Sequence, residues 1–434
     1  MDILVIGSGP TGLTVGATLA RRGHRVTAVD RDRGPRAAGD WRRRGVMQFA
    51  HAHNFRPQVS WLLQAQWPEA FGAWCSLGPE PVDLGPLGLD AGPVVVHSRR
   101  VTYERALRTA AADVPGLMLR VGHVDRLIEA GGRVVGAVVD GTRHEADLVV
   151  DASGRASRLD GSLATLGGDC GMAYVDRCFR LRPGVEPGPV TNLIGWFGRF
   201  DGYQALLFPQ ETGHFSVVLI RPTADAALKQ LRHESAFEAA CRAIPALSEW
   251  TDPRRARPES GVLVGGALRN VYRSQRMLPG LVAVGDAVST TTPTAGRGVA
   301  MVSMQIEALL TLLDAGADPT TVAEPFGAWC DEYIAPWVAD HISTDDAAVE
   351  RWQGAELDPT RPLSSAAIHA AGEIDPRIHA YTGPFMAMAA LPQSLQPAEP
   401  WARAVYETGW RPASSEGPGR DELVAVVEGA LAAA

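Results

Sequence analysis

The chain has 434 residues, of which 46% are hydrophobic and 21% charged, as in a folded globular protein of about two to three domains. The net charge of −8 argues against nucleic acid as a partner, and no apolar run reaches the roughly 18 residues that a transmembrane helix needs. The five cysteines are scattered without a CxxC pair, which favours free thiols, so we expect a cytoplasmic protein.

The N-terminal stretch predicts a strand–helix–strand unit. Asp2–Ile6 is an apolar run, as in a strand buried on both faces of a parallel sheet. Leu13–Arg22 has the composition of a helix, and Gly23 follows where a helix would end in a left-handed cap. Arg25–Asp30 then has the pattern of a second buried strand.

Three glycines between the first strand and the helix have G-x-G-x-x-G spacing. Gly7 would allow the tight turn, Gly9 the close approach of a pyrophosphate, and Gly12 the packing of the helix on the strand. Asp30 follows at about the distance, roughly 20 residues, at which a carboxylate accepts hydrogen bonds from a ribose diol. We predict a dinucleotide site here; the alternative is that the glycines serve packing alone.

The following elements alternate between loops, helices and strands. Residues 33–60 are irregular and then helical, and they contain His51 and His53. This pair has no third ligand nearby, so we predict no metal site, and the two imidazoles could equally serve surface or packing roles. Residues 76–96 are rich in Gly and Pro and predict a loop, and Val101–Asp113 predicts a helix.

A β-meander is predicted next, and its last strand is apolar enough to re-enter the main sheet. The strands are Leu117–His123, Asp125–Glu129, Arg133–Asp140 and Glu145–Asp151.

Residues 170–265 contain several strand-like segments with aromatic residues. They predict a second sheet that could form one wall of a substrate site. Its strands are Tyr174–Leu181, Thr191–Phe200, Tyr203–Phe208 and His214–Arg221, and a helix over Ala224–Ile244 follows. The aromatic residues of these strands would either line a substrate or merely fill the core; they are Trp196, Phe197, Phe200, Tyr203, Phe208 and Phe215. Leu281–Val284 then predicts a buried strand and Val299–Asp314 a helix, and the last ninety or so residues have helical patterns without a motif.

Three separated motifs together resemble the flavoprotein monooxygenase superfamily with the para-hydroxybenzoate hydroxylase type of fold. They are GSGPTG followed by Asp30, DASGRASR from Asp151, and GDAVSTTTPTAGRG from Gly285. The resemblance covers roughly residues 1–340 and implies FAD as the cofactor.

This resemblance assigns roles to individual residues. Gly7, Gly9 and Gly12 would hold the FAD pyrophosphate, Asp30 the adenosine ribose, and Asp286 the ribityl chain or the pyrophosphate. Arg100 would contact FAD, with Arg99 as its competitor, and backbone N–H groups would approach the flavin ring from Pro293, Gly296, Arg297 and Gly298. A helix that begins there would favour an anionic reduced flavin.

The segment from Arg44 to His53 resembles a stretch of bacterial polyketide epoxidases and related tailoring oxygenases. Arg44 and Gln48 would then lie near the cofactor, although Met47 and Ala50 depart from that pattern. From position alone, Gln48, His51 and His53 are the candidates for acid–base catalysis.

We therefore predict an α/β fold with a Rossmann-like FAD-binding domain and a β-meander, a mixed-sheet substrate domain and a helical C-terminal segment. The FAD-binding domain would comprise residues 1–75, 97–165 and 265–340, the substrate domain 76–96 and 166–264, and the helical region 341–434. The family resemblance implies a monooxygenase that hydroxylates or epoxidises a small apolar or aromatic, natural-product-like substrate with O2, through a flavin hydroperoxide.

Several points stay open at this stage. Electrons would come from NAD(P)H or from a partner flavin reductase, because no second nucleotide fold is visible and Ser153 replaces the family's aspartate. Halogenases share this fold, but their W-x-W-x-I-P signature is absent and Lys229 is the single lysine. A flavin-dependent dehydrogenase or reductase, and a non-redox protein that keeps FAD structurally, are the alternatives.

Overall fold

A parallel sheet organises the N-terminal half of the protein in the computed structural model, which describes residues 1–35, 41–43, 45–85, 92–159, 161, 164–275 and 278–433. Its strands are β1 (Asp2–Ile6), β2 (Arg25–Asp30), β3 (Leu117–Val121), β7 (Leu148–Asp151) and β16 (Leu281–Ala283). Their spatial order is β16-β7-β1-β2-β3, and every neighbouring pair runs parallel. Ile3 on the central strand pairs with Val26 on one side and Leu148 on the other.

Helices cover one face of this sheet and bury its apolar side chains in a large core, whereas Leu4 and Val149 on the opposite face pack in a separate cluster with Val134 and Ala137. Pro10, Pro57 and Pro68 open three of these helices, where the missing proline N–H costs nothing. The helices are α1 (Pro10–Arg21), α2 (Pro57–Gln66), α3 (Pro68–Ser76), α4 (Arg100–Ala111) and α7 (Gly298–Asp314).

Two small antiparallel sheets flank the parallel sheet. One consists of β4 (Val124–Ala130), β5 (Arg133–Val139) and β6 (Thr142–Glu145), and the other of β8 (Ala164–Asp169), β15 (Arg269–Arg273) and β17 (Ser289–Thr290).

The predicted meander needs one correction. Its first strand, Leu117–Val121, pairs with β2 in the parallel sheet and is not part of the antiparallel meander. Strand β6 instead completes the small sheet, and β7 re-enters the parallel sheet as predicted.

A larger sheet forms the second layer of the molecule. Helices α5 (Glu234–Ala243) and α6 (Pro245–Thr251) pack on one of its faces through Phe237 and Trp250. The α/β fold class is confirmed, but each described pairing in this sheet is antiparallel, so the sheet is not mixed in direction. Its strands are β9 (Met172–Leu181), β10 (Trp196–Phe200), β11 (Tyr203–Pro209), β12 (His214–Pro222), β13 (Ala256–Pro258) and β14 (Leu263–Gly265).

The C-terminal residues are helical as expected, but their helices contact different layers. Leu423 and Val427 of the last helix pack in the core between the large sheet and α5, whereas Trp337 and Val338 belong to the core around the parallel sheet. The proposed domain boundaries stay a prediction. In the part of the chain that the structure describes, no helix is both long and apolar enough to cross a membrane. The helices are α8 (Ala323–Tyr333), α9 (Ala335–Trp352), α10 (Ser365–Ala371), α11 (His379–Met386), α12 (Glu399–Glu407) and α13 (Arg420–Ala432).

Candidate cofactor-binding site

An open cleft of about 1110 Å³ lies at the carboxyl ends of β1, β2, β7 and β16. Ligands of parallel α/β sheets bind at this edge, and the volume suits a large cofactor. The three motifs, which are far apart in the sequence, all contribute to its wall. The predicted site residues that line it are Gly7, Gly9, Asp30, Gln48, His53, Arg100, Asp286, Pro293, Gly296 and Gly298.

The three motif glycines occupy three different environments. Gly7 has a φ of +101°, and a Cβ on it would lie 2.4 Å from the Ala152 carbonyl oxygen. A Cβ on Gly12 would lie 1.9 Å from the Gly7 carbonyl oxygen, so Gly12 permits the close packing of α1 beneath the cleft. Gly9 caps the N-terminus of α1 and faces the cleft. This arrangement places the N-terminus of α1 at the cleft, as pyrophosphate binding requires.

Asp30 sits in a network of charged side chains at one end of the cleft. Its carboxylate accepts hydrogen bonds from Ser8 N at 2.7 Å, Asp32 N at 2.9 Å and Arg43 Nη2 at 3.0 Å. Burial opposes ionisation of Asp30, but these donors outweigh it and hold the pKa of the carboxyl below its usual range. Arg43 also donates to the buried Glu104 at 2.9 Å, so its side chain bridges β2 and α4. Sequence reasoning missed Arg43 and selected the adjacent Arg44, which lies outside the described residues.

Arg100 and Arg99 point in different directions at the start of α4. Arg100 lines the cleft and donates from Nε to Glu104 Oε1 at 2.7 Å. Arg99 instead forms an ion pair with the fully buried Glu211, with 2.7 Å between Nε and Oε1. The geometry therefore favours Arg100 over Arg99 as the cofactor contact.

The cleft carries an excess of positive charge. Asp286 is solvent-accessible in the open cleft, yet the surrounding protein removes much of its water, and this desolvation raises the pKa of its carboxyl despite Arg100, Arg155 and Arg273. Arginines outnumber aspartates among the described lining residues, which suits a pyrophosphate dianion. The charged lining residues are Arg31, Arg33, Arg42, Arg43, Arg100, Arg155, Asp30, Asp32 and Asp286.

The third motif folds into a tight turn against the cleft. Pro293–Ala295 forms a 3-10 turn, Gly296 closes it with a φ of +62°, and α7 begins at Gly298. The Arg297 side chain points away from the cleft, where it forms an ion pair with Asp340 at 2.5 Å. Only the backbone around Arg297 is therefore available to a cofactor, in line with the predicted role of this turn.

Unpartnered polar atoms in the wall fit a bound flavin. Gln48 Oε1, Asn54 Oδ1 and Thr291 Oγ1 are buried without a hydrogen-bond partner among the described residues, and all three residues line the cleft. Such groups destabilise a protein unless a ligand or water satisfies them. Asn54 lies next to Gly296, and Thr291 lies two residues before Pro293, so two of the three atoms lie at the turn that the resemblance assigns to the flavin ring.

The three candidate acid–base residues have distinct surroundings. His51 is buried, with Nδ1 2.5 Å from Asp176 Oδ1, and it does not line the cleft. Burial raises the pKa of the Asp176 carboxyl, and the hydrogen bond from His51 offsets part of that rise. Burial, with a smaller effect of Arg100, lowers the pKa of the His53 imidazole to about 3, so His53 is neutral at physiological pH.

Gln48 connects the cleft to the large sheet. Its Nε2 donates to the Tyr174 hydroxyl at 2.8 Å, and Tyr174 lies on β9 two residues before Asp176. Tyr174 and Asp176 were missed in the sequence because nothing local marks them. The fold places them on β9 in contact with Gln48 and His51, respectively.

A small, mostly apolar recess of about 20 Å³ lies between the large sheet and the Pro293 turn. Of the aromatic residues predicted to form a substrate wall, Phe208 lines this recess. Trp196, Phe200, Tyr203 and Phe215 instead pack in the core against α5 and α6, so for them the packing interpretation is correct. The recess residues are Ala52, Tyr174, Leu206, Phe208, Val218, Ile220, Pro293 and Thr294.

Comparisons with known proteins agree with this geometry. Residues 5–70 match the NAD(P)-binding Rossmann-like domain. In sequence, the chain is similar to a menaquinone reductase from Mycolicibacterium smegmatis, at 27% identity over 334 residues that cover 69% of this chain and 72% of that protein.

Two solved structures extend the similarity over most of the chain. A triple mutant of the flavin-dependent brominase Bmp2 matches with a TM-score of 0.61 and 16% identity, covering 94% of this chain and 99% of the brominase. PqsL from Pseudomonas aeruginosa, a probable FAD-dependent monooxygenase, matches with a TM-score of 0.61 and 16% identity, covering 81% of this chain and 97% of PqsL. The resemblance predicted from the three motifs is confirmed: the chain has the fold of the FAD-dependent monooxygenases of the para-hydroxybenzoate hydroxylase type.

Proposed function

We propose that the protein is an FAD-dependent monooxygenase that hydroxylates or epoxidises a small apolar or aromatic, natural-product-like substrate. The observation that carries this proposal is the cleft of about 1110 Å³ in which the three motifs meet, with an apolar face of the large sheet beside its Pro293 turn. If the flavin ring lies at this turn, the ring would face a substrate held against β11 and β12.

The residues of the cleft fit FAD along its whole length. Asp30 and its network would bind the adenosine ribose, the N-terminus of α1 the pyrophosphate, and Asp286 the ribityl chain. The backbone from Pro293 to Gly298 would contact the ring, with the N-terminus of α7 aimed at it. Bound FAD would supply the activation of O2, and the protein would supply orientation and exclusion of water.

The recess as it stands has room for roughly one water molecule, so a substrate would occupy the adjoining cleft and widen the recess; the composition of its wall supports the assigned substrate class. Leu206, Val218 and Ile220 contribute aliphatic surface, and the Tyr174 hydroxyl contributes one polar group that is already hydrogen-bonded to Gln48. A ring or alkene with one polar substituent matches this combination. Gln48 and Tyr174 would orient that substituent. His53 is a poor base because its imidazole pKa is so low.

The position of the single lysine argues against halogenation. The resemblance associates halogenases with a lysine early in the chain, whereas Lys229 is exposed in the turn before α5 and does not line the cleft. The similarity to the brominase is therefore best explained by the shared fold.

A second candidate function, a flavin-dependent reductase or dehydrogenase, is favoured by the similarity to the menaquinone reductase. An apolar recess beside the flavin also suits a lipophilic substrate that is reduced. The electron source in either case would be NAD(P)H or a partner flavin reductase. Ser153 donates to Asp151 at 2.6 Å, so the hydroxyl that replaces the family's aspartate is already bonded within the protein.

Stopped-flow absorbance tests the proposal. The purified protein would be reconstituted with FAD, reduced anaerobically, mixed with apolar aromatic compounds and then with oxygenated buffer. A monooxygenase is expected to give a transient near-UV band before the oxidised spectrum returns, together with an oxygenated product that carries ¹⁸O from ¹⁸O2. A reductase would return directly to the oxidised spectrum and give a hydrogenated product instead, and a flavin that resists reduction would favour a structural role.

A further inference from the structure

Arg56 is a buried arginine directly behind the turn of the third motif. It is the residue before α2, and only 8% of its surface is exposed. One guanidinium nitrogen, Nη2, donates to the Ala295 carbonyl at 2.6 Å, and the other, Nη1, donates to the Met386 carbonyl at 2.6 Å. Arg56 thus joins the Pro293–Ala295 turn to the end of α11.

The charge of Arg56 is unusual because no carboxylate of the described residues forms an ion pair with it. The neighbouring Arg297 is also buried, but Asp340 balances its charge at 2.5 Å. Burial, reinforced by Arg297, lowers the pKa of the Arg56 guanidinium to about 10, so it stays a cation at neutral pH. A net positive charge is therefore fixed behind the turn.

Burying an unpaired cation is costly, and two backbone carbonyls offset only part of that cost. A side chain with the same shape and no charge could fill this space more cheaply. The charge is therefore better explained by a group on the other side of the turn that gains negative charge. A reduced flavin is such a group, because its anionic form is favoured by nearby positive charge in a medium of low dielectric constant.

We propose that Arg56 is a positioning residue that also favours reduction of the bound flavin, because it holds the Ala295 carbonyl from behind and fixes a cation next to the flavin turn. This inference rests on the proposed location of FAD at that turn. Arg56 does not line the cleft, so it acts through the Ala295–Gly296 backbone and not by direct contact.

Gln58 provides a matched control on the same helix. It is equally buried, at 8% exposure, and its Nε2 donates to the Ala387 carbonyl at 2.7 Å. Gln58 therefore tethers the same C-terminal turn as Arg56 but carries no charge. Gln58→Leu removes one tether to the C-terminal turn, whereas Arg56→Met removes the tether to Met386, the tether to Ala295 and the cation. Arg56→Gln, which keeps a donor but has no charge, separates the cation from the two tethers.

The test is an anaerobic titration of the midpoint potential of bound FAD in the wild type, Arg56→Met, Arg56→Lys and Gln58→Leu. We expect Arg56→Met to shift the equilibrium from reduced toward oxidised flavin by about tenfold, which is about 30 mV for a two-electron couple. Arg56→Lys keeps the positive charge, so its potential should differ from the wild type by at most half of this shift. Gln58→Leu should leave the potential unchanged. Where Arg56→Met does not fold, Arg56→Gln, which keeps a donor without the charge, makes the same comparison.

The possible results separate the two proposals. Equal shifts in Arg56→Met and Gln58→Leu, or a wild-type potential in Arg56→Met, would overturn the inference while leaving the FAD assignment intact. A wild-type protein that binds no FAD would overturn the proposed function and this inference together. The inference would be supported if the midpoint potential shifts in the neutral variants of Arg56 and not in Gln58→Leu.

Discussion

His51 Nδ1 and Asp176 Oδ1 lie 2.5 Å apart in a buried hydrogen bond that attaches the 47–54 segment to strand β9. The second oxygen of Asp176 accepts from Ala52 N at 2.6 Å, and Gln48 reaches Tyr174 on the same strand. One carboxylate therefore positions the segment that carries two cleft-lining candidates, Gln48 and His53. His51 acts in this arrangement by holding the cleft wall and not by facing the cleft.

Asp176→Asn should weaken this attachment. The new amide presents N–H groups where the carboxylate accepted hydrogen bonds from His51 and Ala52, so at least one buried donor loses its partner. We expect the free energy of unfolding to fall by about 2–3 kcal/mol. Urea unfolding of the purified protein measures it. Asp201→Asn, at an exposed turn, is the control, and an equal effect in both variants would contradict the positioning role.

Gly12→Ala should be far more disruptive than Gly16→Ala, although both positions lie on α1. The Cβ at Gly12 would lie 1.9 Å from the backbone oxygen of Gly7, which cannot move without displacing the cleft wall. At Gly16 the nearest atom is a Leu117 side-chain carbon at 3.1 Å, which can adjust. We expect Gly12→Ala to cost more than about 3 kcal/mol, and Gly16→Ala to stay within about 1 kcal/mol of the wild type. Thermal unfolding would test this; similar melting temperatures would be inconsistent with it.

The sequence predicted those strands, helices and turns that depend only on residues close to one another in the chain. The strand Asp2–Ile6, the cap at Gly23 and the helix that ends at Asp314 all appear where the sequence predicted them, because each depends on residues close in the chain. The three motif glycines were likewise identified from their spacing. These features were enough to locate the cleft.

Features that depend on distant pairing were not predictable. Leu117–Val121 joins the parallel sheet because β2 offers it an edge, and no residue in the strand itself signals this. Asp176 lies 125 residues from His51, and Tyr174 lies 126 residues from Gln48. No pattern among neighbouring residues therefore predicts either contact. The direction of the Arg297 side chain depends on Asp340 and on the rings of Trp337 and Phe385. The C-terminal helices have no motif, yet they contact the proposed flavin turn from behind.

Asp286→Ala should weaken FAD binding without unfolding the protein. The carboxylate faces the cleft, and desolvation raises its pKa, so its charge lacks full hydration and a ligand hydroxyl that donates to it would form a strong hydrogen bond. Loss of one charge-assisted hydrogen bond predicts a dissociation constant for FAD about tenfold higher or more. Equilibrium dialysis with FAD measures it. Because ligand binding stabilises the native state, the variant purified with FAD should also melt below the wild type. Retention of wild-type affinity would refute the assigned role.

Asp345 should make the stability of the protein depend on pH. Its Oδ2 atom accepts from Asn270 Nδ2 at 2.7 Å and from Thr292 Oγ1 at 2.8 Å, which connects α9 to the residue before Pro293. Burial raises the pKa of this carboxyl from 3.8 to about 6. Between these values the folded state binds more protons than the unfolded state, so stability falls as pH rises through this interval. This pKa difference lowers the free energy of unfolding by roughly 3 kcal/mol at most.

Asp345→Asn isolates this contribution, because the amide oxygen can keep both hydrogen bonds without carrying a charge. We expect the variant and the wild type to have similar stability near pH 4, and the variant to become more stable by up to about 3 kcal/mol as the pH passes about 6. Urea unfolding across this pH range measures the difference. Asp346→Asn, on the exposed side of the same helix, should show a much smaller change. A constant difference between Asp345→Asn and the wild type at all pH values would mean that the pKa of Asp345 is the same in the folded and unfolded protein, and it would contradict the raised pKa.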